Sequence, residues 1–181
     1  MRPIPALLTL PAALFAAAPA WSADYMSVEQ AQKAMFPDAD RFVDARLVLS
    51  DAQRNAIKDR SGQRQRKAEQ PVWRAEKNGA LLGWFIVDEV VGKHEFITYS
   101  AGLTPDGHVK GIDVLVYRET YGGQVRDAQW RRHFDNKTLA DAFKLDDDIP
   151  NITGATLSCR NITGGVKRLL ALQQVALSPP A

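Results

Sequence analysis

Thr153-Gly154-Ala155-Thr156 sets two hydroxyls on either side of two residues with almost no side chain. A bulky anionic group can approach such a backbone closely, because nothing projects from it. A helical pattern begins directly afterwards, and amides at a helix N-terminus stabilise phosphate. Arg160, with Lys167 or Arg168, could add positive charge. Two readings fit this pattern. One is an anion-binding loop; the other is an ordinary helix-capping loop with Ser158 as the cap. It is not a P-loop, which would need a lysine after the glycine.

Other chemistry is poorly supported. His94, His108 and His133 are far apart and no cysteine pair accompanies them, so they read as surface or loop histidines rather than zinc ligands. The one cysteine, Cys159, lies beside the small-residue loop at a helix start, where a thiolate would be favoured. With no second cysteine to resolve an oxidised thiol, it reads as a small packing residue. Three glycosylation triplets, at Asn136, Asn151 and Asn161, are present.

The elements that must position the loop follow from patterning. Ser27-Val28-Glu29-Gln30 and Ser50-Asp51-Ala52-Gln53 are capping boxes, predicting one short helix that ends at Pro37 and a second that stops near Gly62. Residues 62–70 are polar and basic and read as an exposed loop. Beyond Pro71, β-branched and aromatic residues take over. Residues 72–77 and 80–91 flank Asn78-Gly79, which supplies the positive φ values of a two-residue hairpin turn. Residues 95–103 and 109–117 flank the turn Pro105-Asp106-Gly107. In the last of these strands Ile112, Val114 and Val116 share one face and Asp113 takes the other. Helical segments are expected at 127–134, 139–145 and 158–176, the last with an apolar face of Val166, Leu169, Leu170, Leu172 and Val175. The expected fold is therefore α+β: an antiparallel β-meander of about four strands flanked by N-terminal helices and a C-terminal helix.

Composition bounds the setting. The 181 residues include 23 basic and 21 acidic side chains, a formal net charge of +2, which gives no field suited to nucleic acid. Arg54, Lys58, Arg60, Arg64, Arg66 and Lys67 form a local basic run, read as a solvated helix face and loop. Arg2 followed by an apolar stretch to Trp21 and the small residues Ala20, Ser22 and Ala23 reads as a signal peptide over residues 1–22. Pro5, Pro11 and Pro19 suit a spanning anchor badly. Residues 23–70 are then an N-terminal helical extension, 71–176 the main domain and 177–181 a disordered tail.

Thr153-Gly154-Ala155-Thr156-Leu157-Ser158 resembles the (Ser/Thr)-Gly-Ala-Thr-(Leu)-(Ser/Thr) signature of the FMN-binding domain family. Pro105 to Ile112, followed by Tyr117-Arg118-Glu119-Thr120, resembles that family's hairpin and Glu-Thr loop. The family includes flavin-bearing periplasmic subunits of the sodium-translocating NADH:quinone reductase and of the Rnf complex. The resemblance implies FMN joined through a phosphoester to Thr156, installed from FAD by a magnesium-dependent flavin transferase. It implies Thr153, Gly154, Ala155, Leu157 and Ser158 around the phosphate, to which Arg160 could add charge by its position after the helix start, with Glu119, Thr120 and the flexible Tyr121-Gly122-Gly123 as the preferred second-tier contacts. It also implies a periplasmic electron carrier, rather than an enzyme alone, that serves redox partner proteins, including membrane-bound ones. Trp84, Tyr99, Tyr117, Tyr121 and Trp130 are aromatic candidates for stacking on the flavin ring. One position departs from the family: Pro150 stands where an Asp is usual, and Asp148 lies two residues earlier. That departure motivates a competing reading, a flavin-free exported module that binds a partner protein or cell-surface polymer.

Overall fold

The computed structural model describes residues 23–177. The leader assigned to residues 1–22 and residues 178–181 of the tail assigned to 177–181 lie outside them, whereas Leu177, expected in the tail, ends a helical turn (Gln173–Leu177). Both capping boxes form as their residue types dictate. In helix α1 (Val28–Met35) the Ser27 hydroxyl accepts from the Gln30 amide, and the Gln30 side chain accepts from the Ser27 amide. In helix α2 (Asp51–Ser61) Ser50 and Gln53 repeat the exchange, and Gly62 ends the helix at φ +71°.

Between and beyond them the chain forms one six-stranded antiparallel sheet. In chain order its strands are β1 (Ala23–Asp24), β2 (Arg41–Asp44), β5 (Val72–Lys77), β6 (Ala80–Val91), β7 (Phe96–Leu103) and β8 (Val109–Tyr117). A separate two-stranded ribbon joins β3 (Leu47–Val48) to β4 (Glu69–Gln70). The sheet order is β1-β8-β7-β6-β5-β2, so the expected meander occupies its centre. Asn78 and Gly79 adopt φ of 52° and 81°, as the two-residue turn requires. The N-terminal segment adds more than helices, because β1 and β2 cover the meander's two outer edges. Covering those edges satisfies ladder groups that would otherwise face solvent.

The sheet is buried on both faces. Helix α4 (Thr156–Leu172) packs with α2 on one face, where Ile162, Val166, Leu169 and Leu170 meet Ile86, Ile97, Tyr99 and Ala101. Burying each such aliphatic side chain contributes about 1.5–3 kcal/mol. Ala31, Met35 and Phe36 cover Ala75, Phe85 and Leu115 on the other face. A register shift pairs Thr98 with Val116 but Tyr99 with Val114, which leaves Leu115 as the extra residue of a bulge. That bulge sends Val116 to the α1 face, away from Ile112 and Val114, which corrects the simple alternation expected for this strand.

Two other expectations are corrected. Residues 139–145 form turns and irregular chain rather than a helix. Asp141 takes the Thr138 amide, Asp148 takes the amides of Phe143 and Lys144, and Phe143 stands at φ 51°, so side chains capture the donors a helix would need. The 127–134 helix is a single turn, α3 (Ala128–Arg131), followed by a 3₁₀ turn (Arg132–Phe134). Residues 62–70 are largely exposed as expected, except that Gln65 and Gln70 are buried.

Candidate functional site

Helix α4 starts two residues earlier than expected, at Thr156, and its N-cap is Ala155 rather than Ser158. No side chain caps it. Ala155 has no oxygen to offer, so the amides of Thr156, Leu157 and Ser158 open the helix without a side-chain acceptor. Ser158 is instead buried in the first turn, 3.4 Å from the Tyr117 hydroxyl. The approach to the helix is built by Gly154 at φ +84°, a conformation that favours glycine, and by the Ala155 amide donating to the Ile152 carbonyl at 2.9 Å.

Three segments converge on this helix start. Its own residues Gly154 to Ser158, the loop Glu119-Thr120-Tyr121 after β8, and Lys93-His94 of the β6–β7 turn line one pocket of about 320 Å³. The Tyr117 hydroxyl donates to the Tyr121 carbonyl at 2.5 Å and so holds the post-β8 loop against α4. Gly122, at φ +85°, is needed for this closeness, because any Cβ there would overlap the Ala155 methyl.

Glu119 organises the third wall. Its carboxylate accepts from the His94 amide at 2.6 Å and the Glu95 amide at 3.0 Å, joining the loop to the hairpin. Partial burial pushes the carboxyl up, but the Glu95, His94 and Lys93 amides outweigh it and hold the group below the usual glutamate range. Gly92 leaves room for this carboxylate, since a side chain there would collide with it.

Of the residues singled out in the sequence, Gly154, Ala155, Thr156, Leu157, Ser158, Glu119 and Thr120 meet in the pocket. Thr153 and Arg160 are exposed and do not line it. Lys167 donates to the Asp141 and Ala142 carbonyls, and Arg168 is buried in an ion pair with Asp88, so neither brings charge to the helix start. Lys93 stands there instead, with His94 beside it; the sequence reading passed over Lys93 and took His94 only as a surface or loop histidine, because only the folded hairpin brings them near residue 156. Among the aromatic candidates Tyr121 alone lines the pocket, with 75% of its surface exposed. Tyr99 is fully buried, Trp130 donates to the Pro150 carbonyl at 2.8 Å, and Trp84 lies under Arg74. Asp148, the last carboxylate before Pro150, is engaged by Lys137 and the Phe143 and Lys144 amides. Cys159 is buried, and desolvation pushes its thiol up, in keeping with a packing role.

Residues 92–171, from the β6–β7 turn to the end of α4, match the family model of the FMN-binding domain. This stretch is similar to that domain. The pocket lies wholly within it. Most of the chain also shares its fold with the crystal structure of NqrC from Shewanella oneidensis. That likeness has a TM-score of 0.55 at 19% identity and covers 81% of this chain and 88% of that one. No curated protein matches the chain by sequence. No helix among the described residues is long and apolar enough to cross a membrane.

Proposed function

We propose that the protein is an exported flavoprotein that carries FMN as a phosphoester of Thr156 and passes electrons between partner proteins. The observation that carries this reading is the half-buried Thr156 at the first position of an uncapped helix, lining the pocket of an FMN-binding domain.

The residues present fit such a group. Amides of Thr156, Leu157 and Ser158 open the helix with no acceptor of their own, and a phosphate dianion is stabilised there by the helix dipole. The open approach at Gly154, where a side chain would meet nothing within 4 Å, leaves the loop unobstructed. Lys93 adds a cation, and Tyr121 offers an exposed ring face. Bound FMN supplies reversible one- or two-electron chemistry. The chain's own part is to tether, orient and shield. Tyr117, Glu119 and Gly122 set the distance between the walls, so the pocket is formed before anything enters it. Forming the ester from FAD joins the Thr156 oxygen to the FMN phosphorus and releases AMP, which calls for a flavin transferase. Export makes a covalent tether useful, since a dissociated flavin outside the cytoplasm has no pool from which it could be replaced.

Coexpression with a flavin transferase should yield a yellow protein whose denatured peptide containing Thr156 keeps the flavin mass. Thr156→Ser should retain it and Thr156→Ala should lose it. Flavin mass retained in Thr156→Ala would refute the attachment site.

A further inference from the structure

A second cavity, of about 380 Å³, opens further along α4, at Asn161, Gly165 and Arg168, between the 63–67 loop and the ends of β6 and β7. Two of its lining residues are joined, the Asn161 side-chain amide donating to the Val91 carbonyl at 2.6 Å. Its walls divide by chemistry. One is apolar, made by Val90, Val91 and Phe96; Val91 and Phe96 face each other across the last register pair of the two strands and are 44% and 60% exposed. Large exposed apolar side chains grouped at a cavity are a common mark of a binding surface.

The other wall is charged, and its pairing is unequal. Arg168 is neutralised by Asp88 in the buried floor, where Tyr99 also donates to Asp88 at 2.7 Å and Arg168 donates to Gln65. Lys67 is neutralised by Glu89. Arg64 and Arg66 also line the cavity, and neither guanidinium has a carboxylate partner among the described residues. Two unpaired forks at the mouth of a half-apolar cavity suit a doubly charged oxyanion, which guanidinium binds in a planar, two-point fashion.

We propose that this cavity binds a small organic dianion, such as an aryl or alkyl phosphate, with its apolar body on Phe96, Val90 and Val91 and its anionic end between Arg64 and Arg66. The site is separate from the flavin pocket and does not depend on flavin being attached. Leu157 and Asn161, one on each pocket, are four residues apart, a rise of roughly 6 Å along the helix axis.

Amide NMR of the full chain, with and without flavin on Thr156, tests this by titration with 1-naphthyl phosphate. Saturable shifts at Val90, Val91 and Gly165 are expected in both forms. Arg64→Ala with Arg66→Ala should weaken binding at least about tenfold, and Phe96→Ala should weaken it several-fold. All three side chains are exposed, so each variant's spectrum should otherwise match the parent. Inorganic phosphate should bind far more weakly than the naphthyl ester, because it cannot use the apolar wall. Absence of saturable shifts overturns the proposal, as does a titration unaffected by the arginine variants. Shifts confined to Gly154 to Ser158 and abolished by flavin attachment would place the anion in the flavin pocket and equally overturn it.

Discussion

The Tyr117 hydroxyl donates to the Tyr121 carbonyl at 2.5 Å while lying 3.4 Å from the Ser158 hydroxyl, so one phenol at the end of the last strand ties the loop after it to the first turn of the final helix. Tyr117→Phe removes that tie and leaves a carbonyl without its donor. The expected loss is about 1 kcal/mol of unfolding free energy, by urea titration. Hydrogen exchange at residues 121–123 should quicken more than in the sheet centre; uniform acceleration everywhere would show that the phenol is merely a core filler.

Gly122→Ala should be worse than an ordinary loop substitution. It adds a methyl against Ala155 and places a side chain at φ +85°. A cost of about 1–3 kcal/mol is expected, together with reduced flavin incorporation, because the pocket walls must move apart. Gly107→Ala is the control: its φ is +89° but nothing lies within 4 Å, so it should show the backbone penalty alone and normal incorporation.

Glu119 gives a pH signature. Its folded carboxyl lies below the ordinary value of about 4.3. A depressed acid contributes stability above the unfolded value, and that contribution fades as pH falls from there through the folded value. Melting temperatures measured from pH 6 down to pH 3 should therefore fall less steeply for Glu119→Gln than for the parent. Parallel curves would mean that the amides of the β6–β7 turn do not depend on this charge.

Arg168→Met should lower stability by about 3–5 kcal/mol, since it strands the buried Asp88 carboxylate. At roughly 2–4 °C per kcal/mol for a domain of this size, calorimetry should show a drop near 10 °C. Restoring neutrality with Asp88→Asn in the same chain should recover part of it. Failure of the second change to help would indicate that packing of the Arg168 stem, rather than charge, dominates.

How legible these parts were depended on how local their causes are. Asn78-Gly79 and Pro105-Asp106-Gly107 set backbone geometry within a few residues, and the strands beside them begin and end close to where the pattern places them. Ser27 and Ser50 cap within their own turns in the same way. The strand Arg41–Asp44 was hidden because four residues with charged ends show little alternation; its pairing with β5 draws on a partner some thirty positions away. Residues 139–145 carry an apolar pattern that suits a helix, yet Asp141 and Asp148 outcompete it for amides. At the site, the small residues before α4 announce a close approach, whereas Lys93 and His94 arrive only through the hairpin. Ser158, the obvious cap by residue type, gave way to Ala155 because its hydroxyl is drawn inward to Tyr117.

The walls around Thr156 come from the β6–β7 turn, the loop after β8 and the last helix, segments that together span more than sixty residues of the chain. A nascent chain that still lacks α4 has no helix packed on that face of the sheet and, under the proposed attachment, no acceptor to present. Under that proposal, an enzyme that recognises the assembled pocket must wait for the finished molecule, and a mutation that slows docking of α4 would postpone the modification even where the final structure is unchanged.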